Sequence, residues 1–138
     1  MERSKIVEIE LEFERMLAQS RELSVFRRNP TTWEFLLLLA QSEQGAMDGL
    51  YSTIDAVQTR YLGNSALLKF IRERRDHGDL RFLEADKKSK WIIQVDQKLI
   101  EHLETLLRWR DDELIAASAR PNHEPATRFA APPAKSES

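Results

Sequence analysis

The run Asn64-Ser65-Ala66-Leu67-Leu68-Lys69-Phe70-Ile71-Arg72-Glu73-Arg74-Arg75-Asp76-His77-Gly78 leads into Asp79-Leu80-Arg81-Phe82-Leu83-Glu84. Then come the polar run Ala85-Asp86-Lys87-Lys88-Ser89-Lys90 and the apolar run Trp91-Ile92-Ile93-Gln94-Val95. The first block predicts a short helix over residues 65–77. Leu67, Leu68, Phe70 and Ile71 supply its buried side, leaving Lys69, Arg72 and Arg75 on the other. Asn64 or Ser65 caps its start, and Gly78 ends it as a left-handed C′ glycine. Residues 80–83 and 91–95 are β-prone runs, and the polar residues between them form a hairpin loop.

Charge separates this stretch from the rest. Residues 60–90 carry nine Lys/Arg against five acids, whereas residues 30–59 carry four acids and no Lys or Arg. A formal net charge of -2 therefore hides one cationic region. A basic helix followed by a hairpin with a cationic tip fits a winged helix-turn-helix. In that arrangement the helix enters a DNA major groove and the tip meets the neighbouring backbone. On this reading Lys87, Lys88 and Lys90 contact phosphates or the minor groove, with Arg81 assisting. Asn64 and Ser65 lie at the helix start, where N–H groups favour phosphate. Lys69 and Arg72, spaced i, i+3, reach base edges or phosphates. Arg74 and Arg75 are expected to pair with acids such as Asp76 and Asp79. Asp86 has a structural role in the wing, with Arg81 a candidate partner. A solvated hairpin tip and an ordinary polar helix face are the plainer readings of the same residues.

Working outward, residues 4–27 read as one long helix with a stripe at Ile6, Ile9, Phe13, Met16, Ser20 and Leu23. Asn29-Pro30 breaks it. Thr31 and Glu34 have capping-box spacing before a helix over residues 32–41 that is apolar nearly all round, and so central. Residues 47–57 predict the first helix of the helix-turn-helix, and Gly63 permits the turn after it. Asp96 starts a last helix over residues 97–119. Its stripe is Leu99, Ile100, Leu103, Leu106, Leu107, Leu114 and Ile115. Both terminal helices are long for a domain of this size and call for a partner. Residues 121–138, rich in Pro, Ala and Ser, are expected to be a disordered tail behind a single domain of residues 1–120.

Several function classes find no support. The chain has 138 residues and no cysteine, which excludes disulfides and thiolate chemistry. His77, His102 and His123 are far apart, with no carboxylate or cysteine at ligand spacing, so neither a metal nor a cofactor is expected. No phosphate loop, nucleophile elbow or paired-acid site is visible, and an enzyme is not expected. The longest apolar run, residues 35–40, is far short of a membrane span, and no signal-peptide core follows Met1. The expected location is cytoplasmic, on the nucleoid. Trp33, Trp91, Trp109 and Phe13 suit core or dimer packing, or the lining of an apolar effector pocket.

Residues 67–78 and 80–95 resemble the MarR family of bacterial winged-helix regulators. The block from Ile71 to Leu80 looks like the end of that family's recognition helix. Asp86-Lys87-Lys88-Ser89-Lys90 looks like its wing motif, and Asp96 with Lys98-Leu99 sits where its C-terminal helix starts. There are two departures. Lys88 stands where the family usually has arginine, and the connection between Leu50 and Gly78 is several residues longer. The resemblance implies a fold that is mainly α with a small β-hairpin, and a homodimer interlocked through the terminal helices. Ile6, Ile9, Phe13, Leu103, Leu107 and Leu114 would carry that interface. Two recognition helices would then lie about one DNA turn apart on a pseudo-palindrome. The role implied is transcriptional control through double-stranded DNA, often with a small-molecule effector. The competing reading is a degenerate winged-helix dimer that binds protein instead of DNA.

Overall fold

The computed structural model describes residues 3–84 and 91–119. Its elements are α1 (Arg3–Gln19), α2 (Arg21–Arg27), α3 (Pro30–Gln41), β1 (Ala46–Asp48), α4 (Leu50–Ala56), α5 (Asn64–Asp76), β2 (Leu80–Glu84), β3 (Trp91–Val95) and α6 (Gln97–Ala119). The described residues fall into two units, one within residues 16–105 and a terminal one drawn from residues 3–15 and 106–119. Helices α1 and α6 contribute to both. Among the described residues, no helix is long and apolar enough to cross a membrane. The expected wing residues Asp86, Lys87, Lys88 and Lys90 and the expected tail 121–138 lie outside the described residues.

The larger unit is a winged helix. The order α3-β1-α4-α5-β2-β3, with a three-stranded antiparallel sheet ordered β1-β3-β2, defines it. The hairpin pairs Leu80 with Val95, Phe82 with Ile93 and Glu84 with Trp91. Alternation turns Leu80, Ile93 and Val95 into the core, where they are buried, and leaves Arg81 and Leu83 outside. Phe35, Leu36 and Leu39 of α3 are fully buried, as the all-round apolar pattern of that helix predicts.

Three local expectations are corrected. The helix expected over residues 4–27 is two helices. Ser20 is extended (φ -89°, ψ 118°) and its hydroxyl accepts from Leu23 N at 3.2 Å, so it caps α2 instead of continuing α1. Helix α3 is capped by Asn29, whose Oδ1 accepts from Thr31 N at 2.8 Å. Pro30 is thus its first residue, where a missing N–H costs nothing. The helix expected from residue 47 starts at Leu50, because Ala46–Asp48 forms β1 and pairs Met47 with Ile93. The turn before β1 explains its tight packing: Gly45 (φ +67°) lies so near Ile100 that a Cβ there would collide with that side chain.

The terminal unit buries Ile9, Phe13, Leu106 and Ala117. The Arg110 guanidinium lies 4.2 Å from the Phe13 ring centroid and 3.5 Å from the Glu10 carboxylate. Ile6, Val7, Leu11 and Ile115 remain exposed in this unit.

Candidate nucleic-acid interface

Helix α5 separates its two faces as its periodicity requires. Leu67 and Ile71 are fully buried, each contributing about 1.5–3 kcal/mol by leaving water. Phe70 meets Phe26 edge to face, with centroids 5.3 Å apart. Ser65, Lys69, Arg72 and Asp76, at i, i+4, i+7 and i+11, form an exposed stripe. Arg72 makes no ion pair among the described residues. The helix start differs from expectation. Gly63 is the N-cap and its backbone is ordinary extended chain (φ -75°, ψ 174°), so no glycine-specific turn occurs there. Asn64 caps nothing; its Oδ1 accepts from Arg60 Nη1 at 2.7 Å.

The helix end follows the expected pattern. Gly78 takes φ +90°, and a Schellman motif closes the turn through Gly78 N to Arg75 O (3.0 Å) and Asp79 N to Arg74 O (2.9 Å). Arg74 folds back to pair with Asp79 at 3.0 Å, both side chains largely buried. Burial pushes the Asp79 carboxyl above its ordinary value, opposed by the hydrogen bond from Arg74. Arg75 pairs with Asp76 at 3.3 Å and lies 4.8 Å from the Phe82 centroid. Arg74 is therefore committed to holding the helix end, while Lys69 and Arg72 stay available.

Across from α5, Arg81 on β2 donates to Gln94 Oε1 at 2.8 Å, its cross-strand neighbour. Gln94 in turn donates to Gln44 O at 3.2 Å. An open cleft of about 690 Å³ lies between α5 and the hairpin, lined by Arg72, Arg75 and Arg81 and by Leu50, Tyr51, Gly78, Leu80, Phe82, Leu83 and Trp91. Among the described residues its charged lining is the three arginines, of which Arg75 is paired with Asp76. The structure thus brings Arg72, Arg75 and Arg81 together at one cleft, while Ser65 and Lys69 share with Arg72 the exposed face of α5.

The residues expected at a dimer interface separate by exposure. Ile9, Phe13 and Leu103 are buried within the chain, Leu107 and Leu114 are half-buried, and Ile6 is exposed. Sequence reasoning missed Thr31 and Glu34, which do not form a capping box. Their side chains accept hydrogen bonds from the segment before α5. Gln58 N and Thr59 N donate to the Glu34 carboxylate at 2.8 and 2.7 Å, and Tyr61 N and Leu62 N donate to Thr31 Oγ1 at 2.9 and 3.1 Å. The first of these, from Gln58, does most to hold the Glu34 carboxyl below its ordinary value. Asn29-Pro30, a cap residue followed by a helix-starting proline, was the signal that Thr31 was not needed as a cap.

No protein-family model matches the sequence, and no curated protein matches it. Among solved structures, the chain is similar to the crystal structure of AbsC, a MarR family transcriptional regulator from Streptomyces coelicolor. The match has a TM-score of 0.49 and 15% identity, covering 83% of this chain and 78% of that one. The winged-helix assignment stands on the chain's own element order and strand register.

Proposed function

We propose that the protein is a DNA-binding transcriptional regulator of the MarR-like kind, not an enzyme, and that it acts as a homodimer on a pseudo-palindromic site. The observation that carries this is the exposed stripe of α5 with Lys69 and Arg72, the latter lining a cleft that Arg81 shares. Helix α5 would lie in the major groove, with Ser65 and Asn64 near the backbone and Lys69 and Arg72 at base edges or phosphates. Lys87, Lys88 and Lys90 would add phosphate contacts from the wing, and Asp86 would support its shape. The exposed apolar residues of the terminal unit support self-association. A small-molecule effector and a place on the nucleoid belong to the same reading.

The test is DNA binding against salt. Duplexes selected by the wild-type protein from a random pool are titrated with wild type, with Lys69→Ala/Arg72→Ala and with Lys87→Ala/Lys88→Ala. Each removed phosphate contact is expected to lower the slope of log K against log salt by about 1. Equal slopes and affinities for all three proteins count against the reading. Tyr51, Leu83 and Trp91, exposed around the same cleft, favour a second reading, a protein-interaction module. It predicts no DNA selection at all.

A further inference from the structure

Residues 57–63 join α4 to α5, where a helix-turn-helix ordinarily uses three or four residues. A surface connection of that length is commonly the loosest part of a domain. Here two side chains of α3 accept from four of its backbone N–H groups, Glu34 from Gln58 and Thr59, and Thr31 from Tyr61 and Leu62. Arg60 joins the two ends of the connection. Its guanidinium donates to Ile54 O in α4 at 3.1 Å and to Asn64 Oδ1 at the start of α5 at 2.7 Å. Thr31 is fully buried, and α3 is itself anchored by Phe35, Leu36 and Leu39. Capping of α3 is done by Asn29, so Thr31 and Glu34 serve the connection instead of their own helix. The start of α5 is thereby fixed relative to the core, despite the long segment before it.

We infer that Thr31 and Glu34 are positioning residues for DNA binding: they clamp the connection so that α5 presents its cationic stripe in one orientation. This rests on the DNA-binding reading above. Neither side chain belongs to the stripe, so loosening the clamp changes how often the helix is correctly placed, not how many phosphates it meets. If the competent orientation falls from nearly all molecules to about a tenth, apparent affinity falls about tenfold. The salt slope stays the same, because it counts phosphates neutralised.

The experiment uses the full chain and a duplex selected by the wild type. Thr31→Val keeps the buried shape and removes the acceptor; Thr31→Ser restores it. Glu34→Gln is the milder variant should Thr31→Val fail to fold. DNA affinity, salt slope and amide hydrogen exchange at residues 58–62 are measured for each. The expected result for Thr31→Val is faster exchange at Tyr61 and Leu62, affinity down about tenfold and an unchanged slope, with Thr31→Ser near wild type. For Glu34→Gln the faster amides are Gln58 and Thr59, with a smaller loss of affinity and the same slope. Wild-type affinity in a folded variant whose amides exchange faster overturns the inference while leaving the regulator reading intact. Unchanged exchange in both variants overturns the clamp. Failure of the wild type to bind or select any duplex overturns both readings.

Discussion

Glu34 and Gly45 show how single residues carry the fold. The Glu34 carboxylate accepts two backbone N–H groups, and its pKa is lowered from the ordinary 4.5, with the Gln58 hydrogen bond the largest cause. A depressed carboxyl releases its proton more readily in the folded chain than in the unfolded one. Its contribution is therefore fully present above the unfolded value and is lost as pH falls through the lower, folded value. Glu34→Gln should melt below wild type at neutral pH, and the gap should narrow in acid below pH 4.5. Melting curves followed by circular dichroism across that range check it, and a gap independent of pH counts against the assignment. Gly45 and Gly78 both hold left-handed backbone, at φ +67° and +90°, but their surroundings differ. A Cβ on Gly78 meets nothing within 4 Å, whereas one on Gly45 runs into Ile100. Urea unfolding should give a loss of about 1 kcal/mol for Gly78→Ala, from backbone strain alone. Gly45→Ala adds overpacking and should lose roughly 3 kcal/mol.

At the scale of the element, α5 separates stability from function by face. Ile71→Ala empties a fully buried position and should lose about 2–5 kcal/mol in urea unfolding. Lys69→Ala/Arg72→Ala touches only the exposed stripe and should stay within about 0.5 kcal/mol of wild type while weakening DNA binding. A large stability loss in the double variant would mean that the stripe is structural. This division was legible in the sequence, because it follows from helical period and charge alone. So were β3 and α6, whose bounds in the structure match those read from local pattern. What was not legible depends on partners distant in the chain. Three residues, Ala46–Asp48, become a strand only because Ile93 pairs with Met47, and the flanking glycines were the sole local sign. Ser20 sits in a helical stripe by spacing, yet its hydroxyl stops the helix. Thr31 and Glu34 had the spacing of one motif and the contacts of another, made to residues 24 to 31 positions away. Periodicity placed Ile9 and Phe13 on one stripe of α1 but joined to it Ile6, which is exposed, and did not say that Ile9 and Phe13 are covered within the chain itself.

For the whole molecule, that last point decides how self-association should be tested. Ile9 and Phe13 are 3% exposed, so neither offers surface to a second copy, whereas Ile6, Val7, Leu11 and Ile115 remain 40–58% exposed in the terminal unit. Burying side chains of this size yields about 1.5–3 kcal/mol each, and a stable interface needs several of them on each partner. The expected wild-type mass in sedimentation is twice the 16.1 kDa of one chain. Leu11→Glu places a charge where the second copy would pack, and should shift the protein towards 16.1 kDa without unfolding it. Ile9→Ala should do the reverse, losing stability while leaving the dimer assembled. Dissociation also removes the linkage between two recognition helices, so Leu11→Glu should weaken binding to a two-half-site duplex by about a hundredfold or more. Its binding to a single half-site should change little, because the stripe of α5 is untouched. A Leu11→Glu protein that remains dimeric would move the interface away from these residues. Equal losses on single and double half-sites would instead mean that the terminal unit supports α5 within one chain.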